Sequence, residues 1–193
     1  AKTGRRVYKG GNIGKALLPL IETIREEDAA VVELSSFQLI SMRRSPDVAV
    51  ITNISPNHLD VHGTMEEYIG CKVNLIAHQN AYSKTVLNLD NAQTAALAEQ
   101  VRGRLLWFTR QQKPERGTFL DAEGWLCYAE AGKTQRIVRA EDIRIPGLHN
   151  VENYLAAIAA VWGEVPAETI VEVAKTFGGV EHRICLLYTS PSP

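Results

Sequence analysis

No stretch of the 193 residues approaches the ~20 consecutive apolar residues needed to cross a bilayer, since the longest apolar runs, 47–52 and 155–162, fall far short. The N-terminus also has no signal-peptide profile, so the expectation is a cytoplasmic protein without a membrane partner. Cysteine is scarce: Cys71, Cys127 and Cys185 are widely spaced and form no CxxC pair, which argues for reduced thiols and against a disulfide framework or a zinc site. An excess of charge of either sign is missing too, with 21 basic residues against 22 acidic ones, so no electrostatic footprint for nucleic acid is present. Internal repeats and low-complexity segments are absent. What remains, 45% hydrophobic and 22% charged residues, lies in the ordinary globular range and supports one main domain, expected to be monomeric.

Along the chain, Arg5-Arg6-Val7-Tyr8 reads as a short strand that enters Gly10-Gly11-Asn12-Ile13-Gly14 and then an amphipathic helix from about Lys15 to Glu26. The apolar runs Ala29 to Leu34 and Asp47 to Ile54 read as strands of a parallel sheet covered on both faces. Thr64 to Gln79 reads as a helix, Thr85 to Leu89 as a strand and Asn91 to Val101 as a helix, so the alternation is that of an α/β fold, a mostly parallel sheet flanked by helices. From Leu105 to Val138 short alternating segments, with a turn at Asp121 to Gly124, predict a small antiparallel β segment. Helices are expected from about Asn150 to Val161 and from Ala167 to Phe177. Residues 185–193 follow neither periodicity and look like translated adapter sequence; the expectation is a domain over 1–184 and a non-native tail, with a genuine Ser/Pro-rich tail as the alternative.

Several residues could carry chemistry. Glu33 ends an apolar strand, where open α/β sheets place ligand groups, and its carboxylate could hold Mg²⁺ or act as a surface charge or cap. His58 follows the next strand and is expected at the same rim; as a Mg²⁺ ligand it would be unusual, and a hydrogen-bonding loop histidine is the plainer reading. Lys72 shares a helix face with Tyr68 and Leu75, where lysines are ordinarily solvated. The glycines of residues 10–14 resemble half of a phosphate loop, but Lys9 stands where the first glycine should be and Ala16 where Ser or Thr would bind Mg²⁺; no GxxxxGK[ST] occurs anywhere. Asn150 and Asn153 lie three apart on a helix, able to meet an adenine edge or to cap the helix, and Arg183 could meet a nucleotide or simply face solvent.

Taken in order, GGNIG, ELSSFQL, NISPNHLD, a helix with an internal lysine, LHNVENYLAAIAA and EHR resemble the central domain of the Mur ligases over residues 5 to 184. GGNIG with ELSSFQL is most similar to the D-glutamate-adding branch. The resemblance implies an ATP-dependent carboxylate–amine ligase that joins D-glutamate to UDP-N-acetylmuramoyl-L-alanine through an acyl phosphate, in peptidoglycan precursor synthesis. It implies Mg²⁺ at Glu33 and His58, a carbamylated Lys72 as a further oxygen ligand, and muramoyl contacts at Asn12, Ser35 and Gln38. It also implies adenine contacts at Asn150 and Asn153 and a ribose contact at Arg183. Lys72 and His58 are thus the expected catalytic pair, with ATP and Mg²⁺ as the cofactors. Asn57 stands where several relatives have Asp. The family's phosphate loop, its uridine-nucleotide domain and its amino-acid domain are not found in these residues, so the chain alone is expected not to ligate. Two alternatives stay open: a sibling ligase for another amino acid or for folylpolyglutamate, and a non-catalytic α/β nucleotide-binding module.

Overall fold

Strand β4 (Lys84–Asn88) is buried along its whole length, as a parallel strand covered on both faces must be, and the rest of the molecule is arranged around it. The computed structural model describes residues 3–12, 14, 16–56 and 62–179. Among them, β3 (Val48–Ile51), β4, β5 (Arg104–Thr109) and β6 (Gly117–Leu120) run parallel, and β7 (Trp125–Glu130) and β8 (Lys133–Arg139) continue the same six-stranded sheet antiparallel. The antiparallel part therefore begins only after β6. Residues 105–109, expected with the alternating segment, pair parallel with β4 instead, with Leu106 and Phe108 in one core and Leu105 and Trp107 against another.

Successive residues of β4 feed two cores. Val86 joins Leu106, Phe108 and Leu126 under helix α4 (Leu148–Val161), through Leu155, Ile158 and Ala159. Leu87 joins Ala49, Ile51 and Leu97 under helix α2 (Met65–Ala77), through Tyr68 and Ile76. Period-2 alternation of a strand against period-3.6 stripes of helices on either face gives this layering. Helix α5 (Ala167–Thr176) closes the first core with Ile170 and Ala174. The segment after β4 is a short helix α3 (Ala92–Ala95) followed by a 3-10 turn, Ala96–Gln100, rather than one continuous helix. No described helix is long and apolar enough to cross a membrane.

Strands β1 (Val7–Gly11) and β2 (Ala29–Glu33) form a separate two-stranded parallel sheet. Here the expectation of a sheet covered on both faces fails: Val31 and Val32 point to opposite faces, yet they are 57% and 44% exposed. The expected helix from Lys15 to Glu26 is reduced to a 3-10 turn, Leu18–Thr23, with no side-chain cap. Leu18 and Ile21 are 77% and 61% exposed, so among the described residues its apolar stripe is poorly covered, and an amphipathic helix draws most of its stability from that packing. Because β2 and β3 are in different sheets, they are not the adjacent strands that the reading of Glu33 with His58 assumed.

Candidate functional site

Gly11 explains the glycine-rich stretch. Its φ is +110°, and a Cβ there would lie 2.2 Å from the Glu33 carbonyl oxygen, so only glycine lets β1 close on the end of β2. The same carbonyl accepts the Asn12 amide at 2.7 Å, which places exposed Asn12 beside Glu33, the exposed last residue of β2. Here the glycine serves strand pairing.

Two residues on, Ser35 caps helix α1 (Ser36–Ile40). The Gln38 amide donates to Ser35 Oγ at 3.4 Å, and the Ser35 amide donates to Gln38 Oε1 at 2.9 Å, a reciprocal capping box. The S-x-x-Q pattern ahead of apolar residues was the available sequence signal for it. Ser35 and Gln38 thus bond each other, with Gln38 exposed and Ser35 half-buried.

Helix α2 starts with a second capping box, Thr64 with Glu67. Lys72 on its next turns is half-buried, not solvated, and its Nζ lies 5.5 Å from the centre of the Tyr68 ring, a cation–π contact. Burial pushes the Lys72 ammonium below its usual value, while the charges of Cys71 and Glu33 act in the opposite direction. Lys72 and Glu33 therefore share one electrostatic neighbourhood although they come from different layers. Sequence reasoning missed His62, which is 7% exposed at the seam of α1 and α2. Its Nε2 lies 2.9 Å from Ser36 Oγ and its Nδ1 3.8 Å from Cys71 Sγ.

A second group of polar residues follows the carboxyl ends of β3 to β5, the edge at which open α/β sheets receive ligands. Asn88 donates to Asn53 at 3.0 Å, Asp90 accepts from Thr109 Oγ1 and from the Arg110 amide, and Arg110 Nε meets Glu152 at 2.7 Å. That ion pair ties the first turns of α4 to the end of β5. Within them Asn150 is buried and donates to the Pro146 carbonyl at 2.6 Å, whereas Asn153 is exposed. Asn150 therefore bonds back to the chain ahead of the helix without capping it, and of the two only Asn153 offers its amide to solvent.

Residues 15–161 match the family described as Mur ligase middle domain. The chain belongs to this family. The Mur ligase middle domain is 48% identical over 184 residues to the UDP-N-acetylmuramoylalanine–D-glutamate ligase of Acetivibrio thermocellus, covering 95% of this chain and 39% of that protein. It is 45% identical to the ligase of the same name from Symbiobacterium thermophilum, covering 94% and 40% of the two chains. It thus spans about two fifths of the length of these relatives. Among solved structures, MurF from Acinetobacter baumannii superposes with a TM-score of 0.66 at 18% identity, over 97% of this chain and 49% of that one. UDP-N-acetylmuramate:L-alanyl-gamma-D-glutamyl-meso-diaminopimelate ligase from Neisseria meningitides gives 0.62 at 19% identity, over 93% and 68%. These two likenesses establish the fold.

Of the residues that the sequence singled out in this Mur ligase middle domain, Glu33, Ser35, Gln38 and Lys72 gather around α1 and α2, with Asn12 alongside. Asn150 and Asn153 stand apart on α4. Asn57, His58 and Arg183 lie outside the described residues. Among the described residues no group of three or more His, Cys, Asp or Glu side chains is placed to hold a metal ion. Glu33 contributes one carboxylate, and Mg²⁺ prefers an oxygen-rich shell completed by water. The unmodified Lys72 ammonium is no metal ligand, so a Mg²⁺ shell at Glu33 needs oxygen donors beyond the Glu33 carboxylate.

Proposed function

We propose that this domain is the central, ATP-handling part of a ligase that joins D-glutamate to UDP-N-acetylmuramoyl-L-alanine in the cytoplasm. The observation that carries the reading is the half-buried Lys72, set on Tyr68 and within the field of Glu33, in a chain 48% identical to a ligase named for that reaction. In the reaction, a carboxylate oxygen of the muramoyl substrate attacks the γ-phosphorus of ATP, releasing ADP and leaving an acyl phosphate. The D-glutamate amine then attacks the acyl carbon, loses a proton and expels inorganic phosphate, forming the amide.

Glu33, His58 and Lys72 as its carbamate would hold Mg²⁺, which when bound neutralises charge on the transferring phosphoryl group. Asn12, Ser35 and Gln38 face the muramoyl side; for the last two this requires a side-chain exchange out of the capping box. Asn153, with Asn150 as its anchor in the first turns of α4, is assigned to adenine, and Arg183 to the ribose.

The test is made in the full-length ligase that contains this segment. Lys72→Ala lowers D-glutamate-dependent phosphate release by on the order of a thousandfold, the loss of several kcal/mol of charge stabilisation. Short carboxylic acids restore part of it. Full activity of the alanine variant refutes the role of Lys72, and phosphate release that depends on another amino acid or on a folate moves the assignment to a sibling ligase.

A further inference from the structure

Of the residues assigned to the active centre, Ser35 and Gln38 belong to α1 and its cap and Lys72 to α2, and one buried side chain touches both helices. We propose that His62 is a positioning residue: its imidazole clamps α1 to α2 and so fixes the Tyr68 ring, and the Lys72 amine resting on it, opposite the Glu33 end of β2. This inference rests on the assignment of Lys72 and Glu33 to the active centre.

Both ring nitrogens are engaged, Nε2 with Ser36 Oγ at 2.9 Å and Nδ1 with Cys71 Sγ at 3.8 Å. Two aromatic rings adjoin the imidazole, Phe37 stacked at 5.1 Å and Tyr68 tilted at 5.3 Å between ring centroids. Two of these contacts are on α1 and two on α2. Ser36 and Phe37 lie beside Ser35 and Gln38 in sequence, Cys71 precedes Lys72, and Tyr68 carries Lys72 Nζ. A core histidine serving only to fill space could be replaced by an apolar residue of similar volume. A clamp could not, because two directional bonds from the two nitrogens of one flat ring hold groups of both helices at once. Lysine has a long, flexible stem with about 2 kcal/mol of rotamer entropy, so its amine holds one place only if its platform does.

The experiment uses the 193-residue chain, and circular dichroism melting verifies that each variant is folded. The first readout is the ring-current shift of the Lys72 ε-methylene protons, upfield of the other lysines and abolished in Tyr68→Leu. His62→Leu should reduce that shift at least twofold, Ser36→Ala should weaken it, and His62→Gln, which keeps a polar group toward Ser36, should retain most of it. The second readout is the carbamate carbon signal in [¹³C]bicarbonate, absent from Lys72→Arg; His62→Leu should lower it several-fold and His62→Gln should hold at least half. A wild-type upfield shift that survives in both His62→Leu and Ser36→Ala overturns the clamp, as does its absence from the wild type; should His62→Leu not fold, Ser36→Ala decides alone. A shift lost in His62→Leu with no wild-type carbamate leaves the clamp standing and removes the carbamylated lysine from the proposed function.

Discussion

A single hydrogen atom in place of a side chain decides whether β1 can reach β2. Gly11→Ala places a methyl group against the Glu33 carbonyl and forces an alanine to a φ of +110°, a backbone strain of about 1–3 kcal/mol before the clash is counted. Amide exchange of β1 and β2 should accelerate at least tenfold in that variant while β4 to β6 stay protected. Cys127 is the second instructive residue. Burial, with Asp121 nearby, pushes its thiol up to about 11 from an ordinary 9.0. Between those two values the folded chain holds a proton that the unfolded chain has released, so stability must fall as pH rises. Urea unfolding at pH 8.5 and pH 11 should reveal a change between the two pH values that is about 2–3 kcal/mol more unfavourable in the wild type than in Cys127→Ala. At this scale the sequence was legible where neighbours in the chain decide the matter, as in Tyr68 and Lys72 on one helix face, but neither the burial of Lys72, expected to be solvated, nor the strand-closing part of Gly11 could be read from it. It was not legible for His62, whose partners Ser36 and Cys71 are brought to it only by the packing of α1 on α2.

Elements were readable in proportion to how much of their stability is local. The sequence reading placed α2 at Thr64 to Gln79, and the capping box of Thr64 and Glu67 starts it there. The helix expected from Lys15 to Glu26 failed for the opposite reason, since among the described residues its apolar stripe is poorly covered. Helix α4 ends on a device that no periodicity reveals: Lys84, from β4, donates its ammonium to the Ala160 carbonyl at 2.9 Å and the Trp162 carbonyl at 3.2 Å, with Glu164 at 3.9 Å. A cation at a helix C-terminus complements both the orphan carbonyls and the dipole. Lys84→Met should therefore lower stability by about 2 kcal/mol, read as a shift of the urea midpoint with an unchanged slope. An unmoved midpoint would assign the end of α4 to its apolar contacts instead. Helix α1 is held at its start by His62, just ahead of α2, through Ser36, and at its end by Asn74 of α2, whose Nδ2 donates to the Leu39 carbonyl at 2.9 Å.

For the whole molecule, the alternation of strands and helices announced an α/β sheet, and the parallel strands β3 to β6 bear that out. The division into two sheets was not announced, because strand patterns report burial along one chain segment and not which edges meet. An isolated two-stranded sheet is marginal in water, so β1 and β2 should exchange their amides well before the six-stranded sheet, with a difference of several kcal/mol in opening free energy. Equal protection in both sheets would refute that order. Among the described residues the division also leaves β3 paired with a strand on one side only, so that its other side keeps a row of backbone donors and acceptors that no described strand takes up. Such rows pair with whatever strand arrives first, so the recovery of this chain after dilution from urea should fall as its concentration rises, and a lysine introduced on the outer edge of β3 should restore it.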